Sequence, residues 1–523
     1  MLGEYNAASL RMANKWKLVR DFVAGEEDVK AAGELYLPRK GGQSDCSYEA
    51  YKARAKVGDY TGQALSSLHG LIFRRTPVID IPDSQELRKV VDNFNREGDS
   101  LYQFASDTAM DNMQTLWGGI LADMPSAEGI VTAYDAEVMG LRPYARYYSA
   151  ENIYDWRYRD VNGFQQLSMV VLKELVENDV MDEFSHDVTE QIRVLSLDED
   201  GLYNVRIYRK REVEEDGGKK TVYDLVSAPS VVIRGRRLGY IPFEFLMGKS
   251  PDKPMLYGTA ELHKHYYMQS ADYENGVHYT TIPTGCSTGH TMGKDENGQP
   301  EVIRLGEDAW LNFPEETARV STLIFSGEGL DHCENAIDRT KEEIGVLGTR
   351  MISPDKSMSE TKDAAQIHRQ GENAKLATYA RNLSEKFTRI LQVMADWMGI
   401  EGKVNVEFNV DYDSVAVDPN MLNAIANLAR EGKFPLPLVF EALKKGEYLP
   451  NDIDFKVYAL LVALEDSGAS VSEIFAAYQR LRAGEKVEVI DTKPAQELRE
   501  DSASGDGEPE KEVEDDLDEG DEP

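Results

Sequence analysis

Cysteine is scarce in this chain: Cys46, Cys286 and Cys333 are the only three in 523 residues, far apart and with no CxxC pair. That argues against both a disulfide scaffold and a zinc ribbon. No run of about 18 apolar residues occurs, so no membrane-spanning helix is available. The first twenty residues read as an amphipathic helix, with Leu2, Leu10, Trp16 and Val19 among charges. They lack the apolar stretch and small-residue cleavage site of a secretory signal, so the chain is expected to stay in the cytosol. Walker A, a G-x-G-x-x-G following a strand, and H-E-x-x-H are all missing; without a phosphate-binding loop a P-loop motor ATPase is excluded. Positive charge is also short, with 58 Lys+Arg against 93 Asp+Glu and a net charge of −35. A surface this acidic does not grip nucleic acid by neutralising phosphates throughout. The segment from Gln496 carries 14 acidic and 2 basic residues, and its composition predicts disorder beyond Glu497.

What is present is enough apolar sequence, 41%, to fold most of a chain too long for one ordinary core; two to four subdomains are expected. Residues 1–255 mix helices with short strands. Tyr51–Phe73 has helical stretches through Ala53, Val57, Tyr60, Ala64, Leu68 and Leu71, stopped before Pro77. Ser100–Leu116 repeats the helical spacing, and Trp117–Asp123 reads as a turn into a buried strand. The β-rich runs Met169–Leu172, Ile192–Leu197 and Tyr203–Tyr208, parted by acidic turns, predict antiparallel hairpins, with another hairpin tip at Glu214–Lys220.

From Thr259 the pattern changes. A helix to Thr280 places Leu262, Tyr266, Tyr273 and Val277 on one stripe. Residues 280–327 scatter glycine and proline among short β runs, a composition that makes tight hairpins without a core of its own. A second helix, Gly329–Arg350, aligns Leu330, Cys333, Ile337, Ile344 and Met351. Its Gly345 and Gly348 each lower helix propensity by about 1 kcal/mol relative to Ala, which suits close approach or bending. After the loop Met351–Ser359 a long helix runs to about Trp397, with a capping box at Ser357 and Glu360, a kink at Gly371 and a stop at Gly399. Four more helices are expected at Met421–Arg430, Leu436–Lys445, Phe455–Asp466 and Val471–Leu481.

Short catalytic patterns fail on context. Gly285-Cys286-Ser287-Thr288-Gly289 fits G-x-S-x-G, but a nucleophile elbow needs a helix directly after the serine and turn-forming residues follow instead. Ser353-Pro354-Asp355-Lys356 fits S-x-x-K only with a proline opposing the helix that pair requires. His263 and His265 point about 200° apart on a helix, and Cys286 with His290 supplies two ligands where zinc needs three or four. No catalytic residue, metal or cofactor is assigned, and no enzymatic activity is expected.

The order helix, small β unit, helix, loop, long helix resembles the portal subunits of tailed bacteriophages. The residues carrying the resemblance are 68–77 (LHGLIFRRTP), 98–105 (GDSLYQFA), Arg142-Pro143-Tyr144 with Ala150–Ile153, Ile241-Pro242-Phe243, Ser270–Tyr273 and Glu360-Thr361, in that order over Tyr51–Gly399. Lys362-Asp363 departs from the smaller residues expected after Glu360-Thr361. The resemblance implies an α+β subunit with a mixed wing (1–255), two stem helices (256–279 and 328–350), a β-rich clip (280–327), a tunnel loop (351–361), a long wing helix (362–400), a helical crown (401–490) and an acidic tail (491–523). It implies a homo-oligomeric ring, usually a dodecamer, at a capsid vertex of the virion, assembled in the bacterial cytoplasm. Such a ring conducts double-stranded DNA in packaging and ejection and docks the terminase large subunit, adaptor or head-completion proteins, capsid and scaffold proteins. Arg350, Lys356 and Lys362 would be the tunnel-loop cations touching DNA in an otherwise acidic channel. The two apolar stripes and the coreless β unit are expected to find their partners in neighbouring subunits. Another phage head or connector protein, or a serine hydrolase around Ser287, are the alternatives.

Overall fold

The computed structural model describes residues 2–125, 140–177, 188–215, 218–229, 231–282, 284–289, 316–323, 326–349 and 362–412, then 435–445, 455–466, 470–482 and a few isolated positions. The chain divides into two compact units, Met1–Tyr412 and Asp413–Pro523. Both helices and sheets are present, and every strand pair among the described residues is antiparallel, an α+β composition.

In the first unit, α1 (Ala7–Ala24) starts where the Asn6 side chain accepts from the Ala8 amide. It buries Trp16, Leu18, Val19 and Phe22. Leu10, well off the stripe through Trp16, Val19 and Phe22, is 60% exposed, and Leu2, which precedes the helix, is 38% exposed. α2 (Glu26–Ala31), α3 (Asp45–Arg54) and α4 (Tyr60–Phe73) follow. The stretch 51–73 is thus two helices, parted at residues 55–59, where Gly58 takes a positive φ of 77°. α5 (Gln85–Asp92) and α6 (Leu101–Thr115) begin at serine caps, Ser84 and Ser100, each accepting from the amide three residues on. The principal core joins Phe22, Leu65, Leu68, Phe104 and Met113 to Phe387, Ile390 and Met394 of the long helix.

Two sheets face each other beside it. β2 (Gly118–Asp123) pairs with β3 (Tyr144–Ser149) on one side and β11 (Phe243–Phe245) on the other. The second sheet is a meander of β4 (Ile153–Val161), β5 (Phe164–Glu177), β6 (Val188–Leu197), β7 (Tyr203–Glu215) and β8 (Gly218–Ser227), followed by a short hairpin of β9 (Val232–Ile233) and β10 (Arg236–Arg237). Alternation sends Val170, Leu172, Leu195 and Val205 toward Trp117, Tyr148, Trp156 and Phe243 between the sheets. The β-rich runs expected near 169–208 are the middles of these longer strands. Where the sheets meet, buried Glu174 accepts from Tyr148 Oη (2.5 Å), Gln191 Nε2 (2.8 Å), Arg193 Nε (2.9 Å) and Arg146 Nη1 (3.1 Å). Burial opposes its charge, but Arg193, the Tyr148 hydroxyl and Arg146 together hold it below the usual carboxylate range.

Residues 401–412, expected to open the C-terminal helical part, instead return to the first unit. β14 (Asn405–Glu407) pairs with β1 (Val78–Asp80). Its other side lies along α9 (Lys362–Met398), which ends at Gly399 with φ 75° and the Ile400 amide bonded to the Ala395 carbonyl. Three α9 side chains spaced by four residues take three strand amides spaced by two: Gln392 from Val404 (3.1 Å), Thr388 from Val406 (2.9 Å) and Ser384 from Phe408 (3.0 Å). Four helical residues rise about 6.0 Å and two strand residues about 6.6 Å, so the two ladders nearly coincide.

In the second unit, α10 (Leu436–Lys445), α11 (Phe455–Asp466) and α12 (Val471–Arg482) match three of the four expected helices. Phe440 meets Phe455 and Tyr458 with ring centroids 5.6 and 5.3 Å apart, and Ser470 with Glu473 forms a capping box. The expected helix 421–430 lies almost wholly outside the described residues, as does the segment from 483 onward.

Candidate functional site: the helical hairpin and its buttress

The helix expected over Thr259–Thr280 is α7 (Tyr257–Thr281), and the one over Gly329–Arg350 is α8 (Leu330–Thr349). Between them β12 (Thr284–Thr288) and β13 (Arg319–Leu323) form an antiparallel pair; residues 290–315 lie outside the described set. Ser287 sits inside β12 opposite Val320, in extended strand. Gly289 closes β12 with φ 78°, and a Cβ there would come within 2.3 Å of the Thr317 carbonyl oxygen, so only glycine fits.

The two apolar stripes meet each other. Tyr266, Ile337 and Ile344 form one buried cluster, with Leu262, Tyr273 and, from α4, Tyr60 packed around it. Leu330 reaches the far end of α7, where a Cβ on Gly276 would lie 2.8 Å from its Cδ2. Gly276 therefore lets the helices approach at the β end of the hairpin. Val277 is half-buried. This corrects the expectation that the stripes find partners only in neighbouring subunits: periodicity says that a face needs covering and not which surface covers it. The opposite side of α8 is polar, with Asp331, Glu334, Asp338 and Glu342 exposed along one line.

α7 is fastened along its length to the end of α3 and the segment leading from it to α4. Tyr51 Oη donates to Asp272 (2.8 Å), the Lys56 amide donates to Ser270 Oγ (2.7 Å), Lys56 Nζ pairs with Glu274 (2.5 Å), and Arg54 Nη2 lies 3.0 Å from His278 Nε2. Burial and the Asp272 carboxylate push the Tyr51 hydroxyl well above its ordinary value. At the base, His263 is fully buried, with Nε2 2.8 Å from the Val57 carbonyl and Nδ1 2.9 Å from Thr61 Oγ1. The carbonyl accepts only, so Nε2 carries the proton and Nδ1 accepts from the threonine. Its ring lies 4.7 Å from Phe22 and 5.2 Å from Tyr60. Burial lowers its pKa below the ordinary value. Tyr266, buried and hydrogen-bonded to Tyr60, is pushed up to about 12.

Of the sequence-assigned DNA-contacting residues, Arg350 and Lys356 lie outside the described residues, and Lys362 opens α9 with its side chain outside them. The loop 351–361 and its capping pair Ser357 and Glu360 are likewise outside. Sequence reasoning missed Tyr60, Gly276 and the Tyr51–Lys56 buttress; each acts through contacts with residues more than fifty positions away.

A family model described as a domain of unknown function (DUF4055) matches residues 255–398, a span running from just before α7 to the end of α9. No curated protein matches. Among solved structures, a chain of an assembly described as the virion of a native gene transfer agent particle is 11% identical, with a TM-score of 0.33, covering 78% of this chain and 94% of that one. A chain from the neck of an empty gene transfer agent particle, computed with C6 symmetry, is 10% identical, with a TM-score of 0.33, covering 77% of this chain and 95% of that one. These are distant likenesses, and neither decides what this chain does.

Proposed function

We propose that this chain is a structural subunit of a bacteriophage head, and specifically a portal subunit. Copies would form a ring that conducts double-stranded DNA and docks a separate packaging ATPase and head-completion proteins. No catalytic step belongs to it in this reading. The observation that carries it is the hairpin of α7 and α8: two helices closed on each other by their apolar stripes, bearing a small β pair at one end, fixed to a large folded body at the other, and leading into a 37-residue helix. That is the order of parts on which the sequence resemblance rests. The exposed carboxylates of α8 agree with a wall that DNA passes without adhering, since like charges repel and phosphate contacts need cations. The gene transfer agent assemblies are particles of a comparable kind, but the reading does not rest on them.

Because the stripes satisfy each other, ring contacts must come from other surfaces. Purified full-length chain should appear in negative stain as rings with a central hole wide enough for duplex DNA. A monodisperse monomer at micromolar concentration, across several salt concentrations, would overturn the portal reading.

A further inference from the structure

Where α5 ends beside the start of β3, two arginines are brought together. Asn95 Oδ1 accepts from the Glu97 and Asp99 amides (2.9 and 3.2 Å), folding the loop after α5 so that Arg96 takes a positive φ of 67°. A Cβ on Gly140 would lie 3.8 Å from Arg96 Nη2, and the Arg142 amide donates to the Gly140 carbonyl at 2.9 Å, so the chain entering β3 carries Arg142 to the same place. The Arg96 guanidinium lies 5.5 Å from the centre of the Tyr144 ring. Arg142 Nη1 donates to the Lys89 carbonyl in the last turn of α5.

Neither arginine has a carboxylate partner among the described residues. Glu97 and Asp99, beside Arg96 in the chain, take hydrogen bonds from Asn95 Nδ2 instead (3.3 and 2.7 Å). Asp92, the last residue of α5, is exposed and pairs with neither. Burial and then the Arg96 charge lower the Arg142 pKa from its ordinary value, and no carboxylate raises it. Arg20 and Arg193 are the contrast: burial opposes their charge too, but Glu151 and Asp111 outweigh it at Arg20, and Glu174 does so at Arg193. A guanidinium carries several N–H donors in one plane. Arg142 gives one of them to the Lys89 carbonyl, and Arg96 gives none to an acceptor among the described residues.

Two like charges held side by side repel, and an anion placed between them turns that repulsion into attraction. We propose that Arg96 and Arg142 form a site for a small dianionic phosphate, either the free ion or a phosphate monoester. Arginine forks match phosphate oxygens, and a dianion cancels both charges where a carboxylate cancels one. A nucleic-acid backbone is disfavoured, because Asp92 and Glu97 are exposed nearby in the chain and a molecule of net charge −35 repels a polyanion. Phosphate bound there ties the end of α5 and the loop 93–99 to the start of β3. The site is independent of the ring reading.

The test is titration calorimetry on the full-length chain in phosphate-free buffer of low ionic strength at about pH 8, where phosphate is mostly dianionic. The probes are inorganic phosphate and, separately, adenosine 5′-monophosphate. Inorganic phosphate should bind wild type with a dissociation constant of about 1 mM or tighter. Arg96→Gln and Arg142→Gln should each weaken it by about tenfold or more, the loss of a charge-assisted contact. Arg236→Gln, at an exposed arginine that also lacks a carboxylate partner among the described residues, should leave it unchanged. Affinity for the ion no weaker than for the ester assigns the site to the free ion, and tighter binding of the ester assigns it to a monoester. Phosphate should also raise the melting midpoint of wild type more than that of Arg96→Gln, since a ligand bound only by the folded chain stabilises it. Arg142→Gln also removes the contact to α5; if it melts early, Arg96→Gln, which leaves that contact in place, decides the matter. No binding of either probe by wild type, binding undiminished in Arg96→Gln, or binding weakened equally by Arg236→Gln overturns the site. Binding of a duplex oligonucleotide that is lost in Arg96→Gln, while neither probe binds, also overturns it and makes the pair a nucleic-acid contact.

Discussion

At the scale of single residues, His263 makes the base of the hairpin sensitive to acid. Its ring is enclosed by Val57, Thr61, Phe22, Tyr60 and Tyr266, and burial lowers its pKa from the ordinary 6.5; His69, half-buried with Nε2 3.1 Å from the Ser106 carbonyl oxygen, is lowered as well. As pH falls, the unfolded chain takes up these protons first. The stabilising contribution is therefore complete above about pH 6.5 and is lost as pH falls from there toward the folded values. Each group adds at most about 1.4 kcal/mol per pH unit to that slope. The unfolding free energy should drop between pH 7 and pH 5, and His263→Gln should flatten the drop, as read from denaturant melts at each pH. Equal slopes in variant and wild type would show that His263 is not held neutral. None of this was legible beforehand, because the histidine's partners lie 202 and 206 residues away in sequence. The spacing of His263 and His265 showed only that they do not share a metal.

Among the elements, the helices from 257 to 398 were readable to within three residues, since their stripes are regular and glycine marks the stop at 399. What covers each stripe was not readable. A one-sided helix fits against a sister helix or a neighbouring subunit equally well, and α7 also takes contacts from residues 51–61 that no helical period signals. Ile344, 2% exposed, should lose about 2–5 kcal/mol on substitution by Ala, the cost of a buried aliphatic cavity. Ile337→Asp should cost more, because it buries a carboxylate without a partner. Both appear as lowered melting midpoints. A melt unchanged by Ile344→Ala would mean that the two helices do not pack through this cluster. The meander was legible as hairpins, whereas which of its faces packs on β2, β3 and β11 was not, since alternation gives two faces without saying what covers each.

For the whole molecule, the segment from Glu497 carries 14 acidic against 2 basic residues and almost no apolar residue, a composition that argues against a packed interface. Deleting residues 497–523 should leave particle size unchanged in sedimentation; loss of rings would assign the tail a role in assembly. The turn back after Gly399 bears on how the first unit holds the chain that leaves it. The strand 404–408 runs antiparallel to α9, latched to it by Gln392, Thr388 and Ser384 and to β1 on the other side. A pull on residue 413 along that strand meets all three side-chain latches and the β1 pairing at once, in shear, and none of them yields before the others are strained. Tension arriving from the C-terminal side is thereby shared between the longest helix among the described residues and the principal core, and does not peel the strand away one bond at a time.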